Sequence, residues 1–301
     1  MHDSSFSSRS DVHQAITTRI IAAIEAGAGE FVMPWHRAGP ARGRPTNAAT
    51  EKRYRGTNVV GLWAEATLCG YGSGRWATYR QWQSLGAQVR RGEHGAVVVF
   101  YRAFDHDEDE QPERPNRRLV ARASRVFNAE QVDGWREPTP ELPGLAEALP
   151  DLEGVVSATG ANVRHGGERA CYRLKEDLIE IPERNRFVGS PASTPTEAYY
   201  ATLLHELVHW TGASHRLART FGERFGDAAY GAEELVAELG AAFLCADLRV
   251  SNEPRADHAA YVGAWISILK ADARVLFTAS GLASEAASFI LTDGTRAQTK
   301  R

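Results

Sequence analysis

Residues 193–212 constrain this 301-residue chain more than any other stretch. Ser193-Thr-Pro-Thr-Glu197 carries three helix-start signals in a row: Thr194 as N-cap, Pro195 at the first helical position and Glu197 completing a capping box. The run continues Tyr199-Tyr-Ala-Thr-Leu-Leu-His-Glu-Leu-Val-His-Trp-Thr211, and Gly212 stops it. His205 and His209 therefore leave one helix face a turn apart, the spacing at which two imidazoles bind a single zinc ion. Glu206 projects beside them, placed to take a proton from a water at the metal. Leu203, Leu204, Leu207 and Val208 surround the pair. Two histidines on so apolar a helix are costly to bury without a partner.

Two residues compete to be the third ligand. His209-Trp-Thr-Gly212-Ala-Ser-His215 satisfies the longer H-E-x-x-H-x-x-G-x-x-H pattern, but that pattern belongs with a methionine turn beneath the metal. Met1 and Met33, the only methionines, lie far upstream. The rival is the helical stretch Gly231–Asp247, where Glu234 and Glu238 lie one turn apart among Leu235, Ala241 and Leu244. Two carboxylates on an apolar helix read as one ligand, Glu234, and one acceptor behind it, Glu238, that holds a histidine in its tautomer. The missing methionine favours Glu234 over His215. Glu233 reads as solvent-facing. His13, His36, His94, His106, His165 and His258 lack ligand spacing and read as surface or core residues. The expected cofactor is one Zn2+ ion, or another divalent transition metal in its place.

The first half carries a different chemistry. The overall net charge is −3, yet from Trp35 to Phe104 eleven arginines and lysines stand against three glutamates. Such a local positive excess points to a polyanionic partner. Trp35, Tyr54, Trp63, Trp76, Tyr79, Trp82 and Tyr101 are interleaved with these bases. That mixture suits single-stranded nucleic acid, with guanidinium groups on phosphates and rings on unpaired bases. Trp63, Tyr79 and Trp82 recur at helical spacing among apolar residues and read as core. The exposed candidates are Arg42, Arg44, Lys52, Arg53, Arg55, Arg75 and Arg91, with Tyr54 and Trp76.

Periodicity predicts a helix over 11–26, a loop over 28–58, a helix over 59–68 capped by Asn58, and a short helix over 79–85 capped by Thr78. Strands are expected at 95–104 and 118–127, joined by an exposed hairpin loop at 105–117. Glu137-Pro-Thr-Pro-Glu-Leu-Pro143 marks a boundary near residue 140. Short strands at 161–164, 170–174 and 177–181 precede the motif helix. The last two read either as a cradle for substrate backbone or as plain sheet core. The resulting domains are a disordered Ser-rich 1–10, a first domain over 11–136, a linker over 137–146 and a second domain over 147–295.

Cys69, Cys171 and Cys245 are odd in number, far apart and without a C-x-x-C pair, which argues against a disulfide framework or a cysteine zinc knuckle. Met1-His-Asp-Ser-Ser5 lacks the basic-then-apolar pattern of a signal peptide, and no uninterrupted apolar run reaches membrane-spanning length. A reduced, cytoplasmic protein with no membrane partner is the expectation.

Pro45–Val60, Arg75–Trp82, Gly86–Gly95 and Val126–Gly134, followed by His205–Gly212 and Glu233–Gly240, together resemble the ArdC-type antirestriction proteins of conjugative plasmids. The resemblance runs through both halves, in order, over nearly the whole chain. It implies an α+β protein: a small α+β single-stranded-DNA-binding domain, then a mostly helical zincin-like metallopeptidase domain with a short sheet. In outline this is similar to SprT/Spartan-type DNA-dependent proteases. The implied role is to shield incoming plasmid DNA from host restriction, with single-stranded DNA as partner, duplex DNA as a further one, and a host protein as substrate if the site cuts. The resemblance supports His205 and His209 as ligands with Glu206 as base, and is compatible with Glu234. Two other readings stay open: a DNA-binding protection protein whose zinc domain is structural or vestigial, and a protease acting on DNA-bound proteins.

Overall fold

Capping boxes set the frame where the sequence predicts them. In the computed structural model, residues 9–27, 35–36, 43–104, 118–136, 145–190, 193–220, 228–252 and 259–298 are described. The hairpin loop at 105–117, residues 1–8, residues 137–144 of the linker and Arg42 lie outside the described residues. Residues 9–10 and 145–146, expected in the disordered start and the linker, are instead the first residues of helices.

The first half consists of α1 (Arg9–Gly27), β1 (Thr46–Asn47), α2 (Thr57–Cys69), β2 (Arg75–Ala77), α3 (Tyr79–Ser84), β3 (Gln88–Val89), β4 (Ala96–Phe104), β5 (Arg118–Asn128) and β6 (Val132–Asp133). One sheet has the order β1-β2-β5-β4, and β3 pairs with β6 in a second. β4 and β5 run antiparallel from Ala96↔Val126 to Phe104↔Arg118. Thr78 caps α3 through a full capping box, as its sequence predicts.

Asn58 does something else. It sits inside the first turn of α2, and Gly56, at φ +55°, takes the capping position. The Asn58 amide donates to the Val99 carbonyl and accepts from the Val99 N–H, both at 2.8 Å. A primary amide carries the same donor and acceptor as a peptide, so it satisfies the outer edge of β4 and ties α2 to the sheet.

The second half runs α4 (Leu145–Thr159), β7 (Asn162–His165), β8 (Cys171–Arg173), β9 (Leu178–Ile181), α5 (Pro195–Thr211), α6 (Ala228–Leu248), α7 (Ala259–Ala271) and α8 (Arg274–Gln298). The sheet order β7-β9-β8 leaves β8 at an edge. α5 and α6 approach closely at Gly240, where a Cβ would lie 2.8 Å from both Val208 methyl groups. The stretch Arg274–Thr292 is long and apolar enough to cross a membrane by length and composition. Leu276, Ala279, Ala283, Ala286, Ala287 and Ile290 are nevertheless buried, with α8 packed on α4 and α6, so it serves as a core helix.

One apolar cluster runs through both halves, from Ile16, Ile20 and Trp63 to Leu204, Phe243 and Ile290. Trp63 meets Phe243 with ring centroids 5.8 Å apart. The Thr57 and Ser280 hydroxyls are 2.6 Å apart. Trp63 and Trp82 are core residues as predicted, whereas Tyr79 is exposed, because the short α3 turns that face outward.

Candidate metal centre

Thr194 accepts from the Glu197 N–H, the Glu197 carboxylate accepts from the Thr194 N–H, and Pro195 opens α5, which ends at Gly212. The helix thus presents His205 and His209 toward Glu234 of α6, with Glu206 beside them, and all three are buried. The two Nε2 atoms are 3.1 Å apart. Glu234 of α6 faces both, at 3.7 Å from His205 Nε2 and 3.6 Å from His209 Nε2. One ligand atom from each of the three lies within 4.8 Å of the others.

This donor set fits a divalent ion. On a tetrahedral ion with bonds of about 2.0–2.1 Å, ligand atoms stand about 3.3 Å apart, close to the spacing seen. His209 Nδ1 is 3.2 Å from Glu233 Oε1; a proton on Nδ1 leaves an Nε2 lone pair aimed at His205. The facing Nε2 atoms are satisfied either by a shared proton or by a metal ion between them. Glu206, Glu233, Glu234 and Glu238 are all buried around the pair, a concentration of negative charge that a divalent cation offsets. Burial acts to lower the His209 pKa, but the Glu233 bond and the Glu234 and Glu206 charges outweigh it, and the net shift is upward.

Glu238 stands behind the site, with Oε2 3.7 Å from His205 Nδ1. Its Oε1 accepts from Trp35 Nε1 at 3.1 Å and lies 2.9 Å from His36 Nε2. Two consecutive residues of the first half therefore hold a carboxylate of the metal helix. His36 has no ligand spacing, and no sequence signal singles it out.

Glu233 corrects the sequence reading. Expected to face solvent, it is buried and bonded to His209 and to Arg219, whose Nε and Nη2 lie 3.0 and 2.8 Å from its two oxygens. Arg219 also donates to Thr211 Oγ1 at 2.8 Å and to the Val208 carbonyl at 2.6 Å, closing the end of α5. Burial pushes the Glu233 pKa up, but the His209 and Arg219 bonds bring it below the ordinary carboxylate value. His215, the other candidate third ligand, is largely exposed and points to Asp177 at 3.4 Å.

The edge strand β8 borders the site. Burial raises the Cys171 thiol pKa, and the Glu206 charge adds to that rise. A clamp fixes the β8–β9 turn to the end of α5: Arg216 Nη1 donates to Asp177 Oδ2 at 3.0 Å, Tyr172 donates to Asp177 Oδ1 at 2.8 Å, and the Arg216 guanidinium lies over Trp210. These bonds, Arg216 first, hold the Asp177 carboxyl down to about 2. A depressed carboxylate stabilises the fold above its ordinary value of about 4, and that contribution is lost as pH falls toward 2. Asp177→Asn is therefore expected to lower the denaturant midpoint more at pH 7 than at pH 3. Equal losses at both would show that the charge is not what holds the turn.

The expected nucleic-acid residues divide. Lys52, Arg53, Arg55 and Arg91 are exposed, Arg53 with one nitrogen 2.7 Å from Asp247, while Arg75 is partly buried and paired with Glu51. Three expected at the surface are not there. Tyr54 is 5% exposed, with its hydroxyl accepting from Asn47 Nδ2 at 3.2 Å. Trp76 is 1% exposed and packs edge-on against Tyr71. The Arg44 side chain is nearly buried, 3.0 Å from Asp247 and stacked over Phe243. The Arg44 partners lie about two hundred residues away, and burial of Tyr54 and Trp76 depends on the fold around them, so composition does not distinguish these residues from surface groups.

Comparison with known proteins agrees with this architecture. Residues 10–132 match the family model of the N-terminal domain of anti-restriction factor ArdC, and residues 150–282 match that of a zincin-like metallopeptidase. Protein y4eC of Sinorhizobium fredii (strain NBRC 101917 / NGR234) is 46% identical over 288 residues, 93% of this chain and 91% of that one. DNA primase TraC of Escherichia coli is 36% identical over 297 residues, 93% of this chain but only 27% of the primase. The crystal structure of antirestriction ArdC protein from the R388 plasmid in its metal-free form is 36% identical, with a TM-score of 0.73, covering 94% of this chain and 98% of that one. Its Mn(II)-bound form is 37% identical at the same TM-score, covering 94% and 97%.

Proposed function

This chain belongs to the ArdC family of antirestriction proteins, and from that premise we propose that it protects incoming DNA by binding single strands and carries a metallopeptidase site. The observation that carries this reading is the convergence of His205, His209 and Glu234 beside Glu206, in a chain whose two halves match the two family models.

His205, His209 and Glu234 would hold one zinc ion. The R388 protein has a Mn(II)-bound form, which supports manganese as an alternative to zinc, and two imidazoles with one carboxylate suit either metal. Three protein ligands leave a coordination position open, as catalytic rather than structural sites do. The bound ion would supply Lewis acidity. Glu206 accepts the proton of the attacking water and returns it to the leaving amine. Glu233 fixes the His209 tautomer, and the Glu238 carboxylate, 3.7 Å from His205 Nδ1, favours a proton on that nitrogen through its charge. The position of β8 at the sheet edge lets an extended peptide lie alongside it. In this reading the substrate class is a host protein.

The match to part of a DNA primase supports a nucleic-acid setting. Lys52, Arg53, Arg55 and Arg91 are the exposed phosphate-binding side chains in this reading, with Arg75 able to exchange Glu51 for a phosphate. Affinity for a labelled single strand should fall steeply with added salt. The double variant Arg53→Ala, Arg55→Ala should reduce the slope of log affinity against log salt by about 1.4, at about 0.7 for each phosphate of a single strand left without its cation. Absence of salt-dependent binding by the unmodified protein would refute the DNA-binding half of the proposal.

A further inference from the structure

We infer that the single strand lies in the groove between the two halves, stacking a base on Phe100 and placing a phosphate against Arg274 of α8. This rests on the DNA-binding reading and extends it beyond the first half of the chain.

The groove has a volume of about 1500 Å³ and is walled by both halves: the Lys52–Asn58 segment and β4 on one side, the end of α7 and the start of α8 on the other. That is larger than the roughly 300–1,000 Å³ of ordinary small-molecule pockets, so a polymer segment is the fitting occupant. None of His205, Glu206, His209 or Glu234 lines it, so it is separate from the metal centre.

Its lining combines the two chemistries that a single strand needs. Phe100 and Tyr101 are two of the few exposed large apolar side chains among the described residues, at 48% and 41%. Successive residues of a strand point to opposite faces, so these two rings flank β4. Tyr101 is held in place: its hydroxyl is 2.9 Å from His13 Nε2, and His13 stacks on Phe277 of α8 at 3.9 Å. Such a floor is ordered before any ligand arrives, which reduces the entropy lost on binding.

Lys52, Arg53, Arg55 and Arg274 supply positive charge along the same groove; Arg53 is paired with Asp247 at 2.7 Å but 59% exposed, and Asp272 is the one acid lining the groove among the described residues. Asp272 already accepts from Arg274 Nη2 at 2.8 Å, and that guanidinium is mostly exposed. Basic side chains that track a backbone, with rings whose faces accept any base, form the general platform for single-stranded nucleic acid. Paired bases present no free face to Phe100, which favours a single strand over a duplex.

The test uses the full-length chain, a fluorescein-labelled 20-nucleotide oligo(dT) and a blunt duplex of the same length, read by anisotropy across a salt series. Phe100→Ala should weaken oligo(dT) binding roughly tenfold or more, while Phe100→Trp keeps it. Arg274→Ala should lower the salt slope by about 0.7. Thermal melts alongside show whether each variant is folded, and the Trp variant keeps the test valid if the Ala variant is not. If the unmodified protein does not bind oligo(dT), the DNA-binding reading falls and this inference with it. If it binds, but Phe100→Ala and Arg274→Ala bind unchanged while Arg91→Ala weakens, the groove is the wrong surface and the DNA-binding reading stands. Equal weakening toward oligo(dT) and duplex overturns the stacking role.

Discussion

Arg219→Ala is expected to destabilise the fold by about 3–5 kcal/mol, the range for removing one partner of a buried ion pair. The Arg219 and Glu233 side chains are 3% and 6% exposed, with 2.8 Å between their nearest charged atoms. Removing the guanidinium leaves the Glu233 carboxylate buried beside His209 with its main counter-charge gone. It also removes the donors to Thr211 and to the Val208 carbonyl at the end of the motif helix. Because Glu233 orients His209, metal affinity should drop as well, by about 10–100-fold as for other acceptors behind a ligand. Urea denaturation of the metal-free protein measures the first effect, and competition with a chelator measures the second. A stability loss under about 1 kcal/mol would mean that the pair is solvated in solution. Arg219→Lys should recover only part of the loss, since an ammonium cannot span both carboxylate oxygens and the two α5 acceptors at once.

Glu206→Gln separates catalysis from binding. The substitution keeps the shape of the side chain and leaves His205, His209 and Glu234 in place, so one metal ion per chain should remain by elemental analysis. Peptide hydrolysis should fall by about 10²–10⁴-fold, the contribution of a positioned general base. Undiminished cleavage by this variant would remove Glu206 from the chemistry. A restriction-protection assay run in parallel decides between the two functional classes. If the variant loses protection, the site acts on a protein during defence of the DNA. If protection persists without hydrolysis, DNA binding alone accounts for it and the metal domain serves another purpose.

Much of the metal centre was legible because its signals are local. The capping box at Thr194, the stop at Gly212 and the i, i+4 histidines all lie within one helix, and the backbone geometry of a helix places them without help from the rest of the chain. Glu234 and Glu238 were legible for the same reason, as a one-turn pair on an apolar helix. Glu233 was not. It sits one residue from Glu234, about 100° around the helix, where a single-helix view puts solvent. In the folded chain the Arg219 loop occupies that side. Trp35 and His36 reach Glu238 across more than two hundred residues, a separation at which spacing carries no signal.

The first half shows the complementary limit. Its positive excess and its tryptophans are properties of composition, and they identify a kind of partner without identifying a surface. Arg44, Tyr54 and Trp76 satisfy that composition as well as Arg53 and Phe100 do. Asp247 pairs with both Arg44 and Arg53, so burial is what separates them: the Arg44 side chain is 9% exposed and stacked over Phe243, and the Arg53 side chain is 59% exposed.

By itself, then, the amino-acid order determined the helices near 11–26, 59–68, 79–85 and 195–211, the pairing of β4 with β5, the one-turn histidine pair with Glu206 beside it, and the family to which both halves belong. Each of these follows from periodicity, capping or motif order, which act within a few residues. It missed α4 and the short strands β1, β2, β3 and β6. Only the tertiary structure decided that Glu234 rather than His215 faces the pair, that Glu233 and Arg219 support it, and that the two halves share one core. Those outcomes depend on the close approach of α5 and α6 at Gly240 and on the burial of first-half side chains against α6 and α8. Burial is a property of what lies opposite in space, and a linear pattern does not contain it.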